Sequence, residues 1–317
     1  ATVADVMPLW GKNREIVKKG IEALNRYQFP QFHLLVNTRY LKTYTAEVLA
    51  FQISPKINAM GRLSDIANIN TAVQYFVSEE PRLIQDFSKQ VLLLNEKRKT
   101  MSKKQEKIAF ALVDDNPVQV IQHPHFHEGL LGIIANKVSE KTGKPSILLK
   151  PYENICKGSA RSMSYSLTEI FKHVSPSYFE QMGGHDFAYG MTLKKTAMDD
   201  FKNDVNEAVK KIEPIEKRVD SLLINPHWLT REAVEELNFF EPFGEGFRIP
   251  LFEMALPENF EVKVINGYGF KLRFDHFEAV YFGSQYDEEA MRSARHMLCR
   301  LDMQSKYGLQ VYVEAIR

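Results

Sequence analysis

Cysteine is almost absent from this chain: Cys156 and Cys299 are its only two in 317 residues, and they have no paired spacing. That scarcity argues against a disulfide framework and a cysteine-built metal site, and fits a reducing, cytoplasmic setting. Net charge is missing too. Lys and Arg number 41 against 40 Asp and Glu, so there is no bulk attraction to nucleic acid, and an anion-binding surface must come from local clustering. No apolar run approaches the roughly 18 residues of a membrane span, and no secretory leader is recognised, so no membrane association is expected. With 44% hydrophobic and 11% aromatic residues the chain can fold, and its 317 residues suggest two or three domains. It starts at Ala1 without an initiator Met or a polar tail, which predicts a fragment.

Several elements are legible from periodicity. Asn13 is placed to cap a helix to about Asn25, with Ile16, Val17, Ile21 and Leu24 at helical spacing. A short helix over Thr43–Phe51 leads to Ile53-Ser-Pro, where Pro55 predicts an extended Ser54. Asn58–Arg62 reads as a loop or a helix start. From Pro81, with Ser78 as a candidate cap, no breaker appears before Asp114-Asp115-Asn116-Pro117, which predicts a very long helix. Its apolar rhythm is broken at Arg98 and Gln105, so it reads as a connector that crosses solvent between domains. Val118–Gln122, a helix over Gly129–Lys141 ended by Gly143, and Ser146-Ile-Leu-Leu together suggest a parallel βαβ unit. Ser166-Leu-Thr-Glu169 has capping-box form, and Thr196–Ile212 reads as a further helix. From Ser221 six short β-like runs follow, with a turn at Asn266-Gly267, which suits a small barrel.

The chemistry concentrates in two stretches. Gly158-Ser159-Ala-Arg161-Ser and Gly183-Gly184-His185 combine permissive backbone, hydroxyls, a guanidinium and an imidazole, a set suited to phosphate. The bland alternative is that Gly183-Gly184 forms a turn. His123, His125 and His127 alternate with chelating spacing, but Pro124 and the lack of a fourth ligand count against zinc. Lys97–Lys107 holds six basic residues against one acid, which would attract phosphates near a cleft or simply be a solvated helix face. In the β-rich part, Phe247, Tyr268, Phe270, Phe274, Tyr281 and Phe282 include candidate base-stacking platforms. Arg248, Lys263, Lys271 and Arg273 are placed to follow a strand's backbone.

These motifs also occur in a telling order. His127-Glu-Gly-Leu-Leu-Gly, Lys144-Pro-Ser-Ile-Leu-Leu, Gly-Ser-Ala-Arg161-Ser and Met182-Gly-Gly-His-Asp-Phe together resemble the DHH-associated domain of the DHH phosphoesterase superfamily, and within it the RecJ family of single-strand exonucleases. Thr2-Val-Ala-Asp5, Ile53-Ser-Pro-Lys-Ile-Asn58-Ala-Met-Gly61-Arg62 and Glu241-Pro-Phe-Gly-Glu-Gly246 extend the resemblance over nearly the whole chain. One departure is Phe247-Arg248, where the family often has Asn-Pro.

The resemblance implies α/β plus all-β architecture. Residues 1–77 would be the end of the DHH catalytic domain and the helices after it, 78–113 the connector helix, and 114–212 the DHH-associated domain with a mixed sheet. Residues 213–317 would be an OB-like β-barrel. It implies a 5′-to-3′ single-stranded-DNA exonuclease of recombination and repair, with single-strand-binding protein and a helicase as candidate partners. Asp5 would be a catalytic carboxylate and one ligand of a two-ion Mn²⁺ or Mg²⁺ site completed by residues outside this chain, so the fragment alone is expected to be inactive. His185 would stand beside the scissile phosphate. Asn58, Arg62, His127, Ser159, Arg161, Gly183 and Gly184 would bind DNA and its 5′ phosphate. The residues alone also allow Asp5 to cap a turn before Pro8 and Arg62 to pair with Asp65. Rival functions are a phosphodiesterase for short oligonucleotides or cyclic dinucleotides, and a non-catalytic replication scaffold.

Overall fold

A computed structural model describes residues 2–37, 41, 43–215, 220–265, 269–283, 286–301 and 309–317. Tyr268 and the Asn266-Gly267 turn lie outside the described residues. The chain divides into two compact units, Ala1–Ser54 with Val219–Arg317, and Pro55–Arg218.

The first unit opens with α1 (Gly11–Arg26), α2 (Pro30–His33) and α3 (Ala46–Val48). Helix α1 starts two residues ahead of Asn13, at a Gly11 with φ of +52°. Asn13 is therefore inside the first turn, and its amide donates back to the Pro8 carbonyl at 3.1 Å. Thr45 caps α3, its hydroxyl accepting from the Val48 N–H at 3.3 Å. A π-helical turn, Leu49–Ile53, then runs into α4 (Ser54–Arg62). Ser54 is helical, at φ −53° and ψ −42°, rather than extended. The wide turn accounts for this. Both the Ser54 N–H and its hydroxyl, at 2.8 Å, donate to the Leu49 carbonyl, so the change of helical register falls beside a proline that brings no N–H.

The second unit continues with α5 (Asn70–Val77), α6 (Pro81–Ala111), β1 (Gln119–Gln122), a 3₁₀ turn Glu128–Leu130, α7 (Leu131–Thr142), β2 (Ser146–Pro151) and β3 (Ile155–Arg161). Then come α8 (Leu167–Lys172), β4 (Phe179–His185), β5 (Ala188–Lys194) and α9 (Met198–Val209). Helix α6 has 31 residues, about 46 Å at 1.5 Å per residue. Its middle, expected to cross solvent, is packed: Asn95, Ser102 and Gln105 are buried on the same stripe as Ile84, Val91 and Ala109. Gln105 accepts the His127 backbone N–H at 2.9 Å, so the break in apolar rhythm marks a polar contact inside the unit.

β1 and β2 pair in parallel around α7, as the βαβ pattern predicts. Gly143, at φ +71°, closes the helix. Ser166 caps α8 by accepting from the Glu169 N–H at 3.1 Å. The rest of the sheet is antiparallel and the strand order is β1-β2-β3-β5-β4. One face is covered by α8 and α9 through Cys156, Ala160, Met191, Leu193, Phe201 and Val205. On the other face α7 packs over β2 and β3.

The remainder of the first unit comprises β6 (Ser221–Leu223), α10 (Arg231–Asn238), β7 (Leu251–Ala255), β8 (Glu261–Ile265), β9 (Gly269–Arg273), β10 (Glu278–Phe282), α11 (Glu288–Ser293), β11 (His296–Leu301) and β12 (Gln310–Ile316). Its sheet order is β6-β7-β11-β12-β10-β9-β8 around a core of Met254, Leu272, Ala279, Met297, Cys299 and Val311. All six expected strands are present; β11, with no β-branched residue, is an addition. The Glu241–Gly246 loop is tied to α1 by Arg14, which donates to the carbonyls of Phe240 at 2.5 Å and Pro242 at 2.7 Å.

Candidate anion-binding cleft

Both glycine motifs lie in strands, not in loops. Gly158 is in mid β3 and Gly183-Gly184 in β4, and none has a positive φ. The polar groups beside these glycines are therefore side chains arranged on a sheet. Pairing of β3, β5 and β4 aligns three rows on one face: Lys157–Thr192–Gln181, Ser159–Gly190–Gly183 and Arg161–Ala188–His185. Arg161 and His185 thus share a face and a row.

The middle row is a lane without bulk. A Cβ at Gly183 or Gly190 would meet nothing within 4 Å. Gly184 has its Cβ direction on the opposite face, where a Cβ would come within 2.6 Å of Tyr189 Cα, so the close approach of β5 requires glycine there. A cleft of about 620 Å³ lies over the open face, lined among others by Arg62, Glu128, Gly132, Lys157, Ser159, Arg161, Gln181, Gly183 and Thr192. Arg161 reaches its position by donating to Ser159 Oγ at 3.0 Å and to its own strand's Ala160 carbonyl at 2.7 Å. Gly132 permits this: a Cβ there would be 2.8 Å from Arg161 Nη2.

Arg62, at the end of α4, donates to the Gly129 carbonyl at 3.4 Å. The alternative pair with Asp65 does not form; Asp65 instead meets His127 Nε2 at 3.1 Å. Because His127 Nδ1 accepts the Gly129 N–H at 3.2 Å, the ring proton is assigned to Nε2. His127 is thereby fully used in fixing the Glu128-Gly129 turn and is not among the cleft-lining side chains. Burial raises the Asp65 carboxyl, but the hydrogen bond from the His127 ring, a backbone hydrogen bond and the charge of Lys150 together hold it below the usual range. Asn58 is exposed on α4 and borders a neighbouring hollow of about 510 Å³ with Ile57, Arg62, Ile69 and Gly129.

Electrostatics single out the arginines. Burial lowers the pKa of Arg62, Arg161 and Arg98, and the charge of Arg62 lowers the last two further. All three remain cationic at any physiological pH. Among the described residues neither Arg62 nor Arg161 forms an ion pair with a carboxylate. Mutually repelling guanidinium groups, half-buried beside an open lane, attract an anion.

His185 is exposed at the end of its row, and no hydrogen bond among the described residues holds its ring. Asp5, in the other unit, is exposed in a turn closed by backbone bonds from Val6 to Val3 at 3.3 Å and from Met7 to Thr2 at 3.0 Å. Its carboxylate caps nothing among the described residues. Val6 beside it has φ of +53°, a rare conformation for a β-branched residue. No group of three or more His, Cys, Asp or Glu among the described residues could hold a metal ion. Asp5 by itself does not make a two-ion site, so no metal-dependent step is derived from these residues. The zinc alternative fails in the same way: the His123 and His125 rings lie 5.2 Å apart, tilted by 39°, and no further ligands join them among the described residues.

The β-rich part is not a free basic track. Lys271 pairs with Glu278 at 2.7 Å, Lys263 with Glu261 at 3.2 Å, Arg273 with both glutamates and Arg248 with Glu245 at 2.9 Å. Phe247 stacks on Phe243 at 5.8 Å with Arg14 over its ring, Phe274 stacks on Phe277 at 4.4 Å, and Tyr281 is buried. Phe270 is partly buried against the core, and of the described candidates Phe282, 69% exposed, is the most open to a base.

Sequence reasoning missed Glu128, Gly132, Lys157, Gln181, Gly190 and Thr192 in the cleft. Period-two counting from Ser159 and Arg161 would have found Lys157; the others depend on strand pairing.

A basic cleft on an α/β domain, followed along the chain by a seven-stranded β unit, resembles the DHH-associated and OB portions of a DHH-superfamily protein. Residues 115–211 match the DHHA1 domain and residues 221–313 the RecJ OB domain. The chain is 30% identical over 258 residues to the single-stranded-DNA-specific exonuclease RecJ of Bacillus subtilis, covering 77% of this chain and 32% of that protein. Against the RecJ of Thermus thermophilus it is 28% identical over 254 residues, covering 79% and 37%. The crystal structure of the Thermus thermophilus RecJ in complex with Mg²⁺ superposes with a TM-score of 0.83 at 25% identity, covering all 100% of this chain and 50% of that one. The chain thus carries a DHHA1 domain and a RecJ OB domain, and it is similar to RecJ proteins over 77% to 79% of its length. It spans about a third of the length of these two curated relatives and half of that solved chain.

Proposed function

We propose that this chain holds the phosphorylated 5′ end of single-stranded DNA for a RecJ-type exonuclease. The observation that carries the reading is the pair Arg62 and Arg161, half-buried on one cleft without a carboxylate partner. In this reading Arg161 and Ser159 grip the terminal phosphate, and Arg62 supplies the second cation. The strand leaves across Gly190 and Gly183, where no side chain obstructs the sugar and base. His185, two strands across from Arg161, then stands about 10 Å away, since adjacent strands lie about 4.8 Å apart. There its ring donates a hydrogen bond to the next phosphate, the scissile one.

Asp5 contributes one carboxylate to the binding of divalent ions such as the Mg²⁺ of the related crystal structure, and Asn58, bordering the hollow beside Arg62, is a further contact for the strand end. The whole-enzyme role is 5′-to-3′ hydrolysis of single strands in recombination and repair, with single-strand-binding protein and a helicase as partners. The match to a RecJ OB domain favours a strand over a dinucleotide as substrate. Substituting Arg161→Ala is expected to weaken binding of a 5′-phosphorylated strand about 10- to 100-fold while changing a 5′-hydroxyl strand little, as for the loss of one charge-assisted contact. Equal losses for both ends, read by fluorescence anisotropy, would remove the assignment.

A further inference from the structure

The row one step back along β3 has a feature that holding a terminal phosphate leaves unused. Glu128 stands over Lys157, accepting from its ammonium at 2.9 and 3.2 Å and from the Tyr152 hydroxyl at 3.1 Å. A carboxylate lining the same cleft as Arg62 and Arg161 repels whatever those arginines attract. The ion pair is open to water, with Lys157 42% and Glu128 47% exposed, so it contributes little to stability. Its position is what matters. Same-face residues on a strand are about 6.6 Å apart, which puts Lys157 one such step from Ser159. Toward α7 the cleft is closed, because Gly132 already abuts Arg161. With the strand leaving across Gly190 and Gly183, the direction left for additional phosphoryl groups runs along β3 to Lys157, and Glu128 occupies it.

We infer that Glu128 is a specificity residue that limits the cleft to a single terminal phosphoryl group, by neutralising Lys157 and repelling the outer phosphoryl groups of a 5′-triphosphate end. The inference rests on the 5′-phosphate reading above. Charge alone predicts the opposite preference, since a triphosphate is the more anionic ligand and the cleft carries two unpaired arginines.

The test is competition binding to the 317-residue chain by three DNA strands of one sequence, ending in a 5′ hydroxyl, a monophosphate or a triphosphate. The monophosphate strand is expected to bind about tenfold more tightly than the triphosphate strand, the effect of one like-charge contact. Glu128→Gln, which can still accept from Tyr152 and Lys157, should bring that ratio close to parity. A triphosphate strand that binds the unmodified protein as well as the monophosphate strand, or a ratio that Glu128→Gln does not move, would overturn the inference while leaving the phosphate reading intact. A monophosphate strand that binds no better than the hydroxyl strand would sink the phosphate reading itself, and this inference with it.

Discussion

Replacing Gly132 with alanine separates stability from binding. Gly132 is the second residue of α7, where alanine is the better helix former by roughly 0.5–1 kcal/mol. Yet the new Cβ would be 2.8 Å from Arg161 Nη2, 3.1 Å from Ser159 Oγ and 3.3 Å from Arg161 Cζ. The obstructing group is the far end of a long side chain, so the fold accommodates the methyl by swinging the guanidinium out. That displacement would remove one or both of the charge-assisted hydrogen bonds proposed above for the terminal phosphate, each worth about 1.5–3 kcal/mol, or roughly 10- to 150-fold in affinity. The expected result for Gly132→Ala is an unchanged or slightly raised melting temperature together with a loss of discrimination between 5′-phosphorylated and 5′-hydroxyl strands. Thermal unfolding and fluorescence anisotropy on the same preparation measure both. Full retention of the phosphate preference would refute the claim that this approach of helix to strand positions Arg161.

Gly129→Ala should behave differently, because its Cβ would fall 1.8 Å from the Arg62 carbonyl oxygen, a backbone atom with no rotamer to retreat into. A cost of about 1–3 kcal/mol and a lower melting temperature are expected, with unaltered melting counting against the packing. In the β-rich part, the hydrogen bond from Lys271 holds the Glu278 carboxyl below the usual range; burial opposes this, and the charges of Lys271 and Arg273 reinforce it. A depressed acid stabilises the fold above its unfolded pKa of about 4.3 and loses that contribution as pH falls through the folded value. Glu278→Gln should therefore lower the denaturant midpoint at pH 7, and the difference from the unmodified protein should narrow as pH falls below about 4.3; a gap that does not narrow with acidification contradicts the assignment. Burial raises both thiols, Cys299 to about 12, so neither cysteine should be alkylated at pH 8 until denaturant unfolds the chain. Mass spectrometry reads this, and labelling in the native state would contradict it.

The parts of this structure legible in the sequence are those with local causes. The βαβ unit showed itself through alternation and Gly143, the Ser166 cap through its spacing to Glu169, and the polar floor of the cleft through Ser159 and Arg161. What escaped depends on distant partners. Gly183-Gly184 reads as a turn because two glycines satisfy most turns, but pairing with β5 makes them strand residues on opposite faces. His127 carries the right chemistry for a ligand site, yet Asp65, 62 residues away, takes up its ring. The polar breaks in α6 suggest exposure, whereas Gln105 is buried because the His127 backbone needs an acceptor there. Lys271 and Arg273 look like a basic strand-binding track until the sheet sets Glu278 beside them. In each case residue type was readable and its partner was not.

Phosphorus NMR of a 5′-phosphorylated oligothymidylate titrated with the chain tests the central claim most directly, because the terminal phosphomonoester resonates apart from the backbone diesters. The account predicts that the monoester signal shifts and broadens first, and that Arg161→Ala abolishes this response. A terminal signal that stays in place while the diester signals move, or that responds equally in the Arg161→Ala protein, would contradict it.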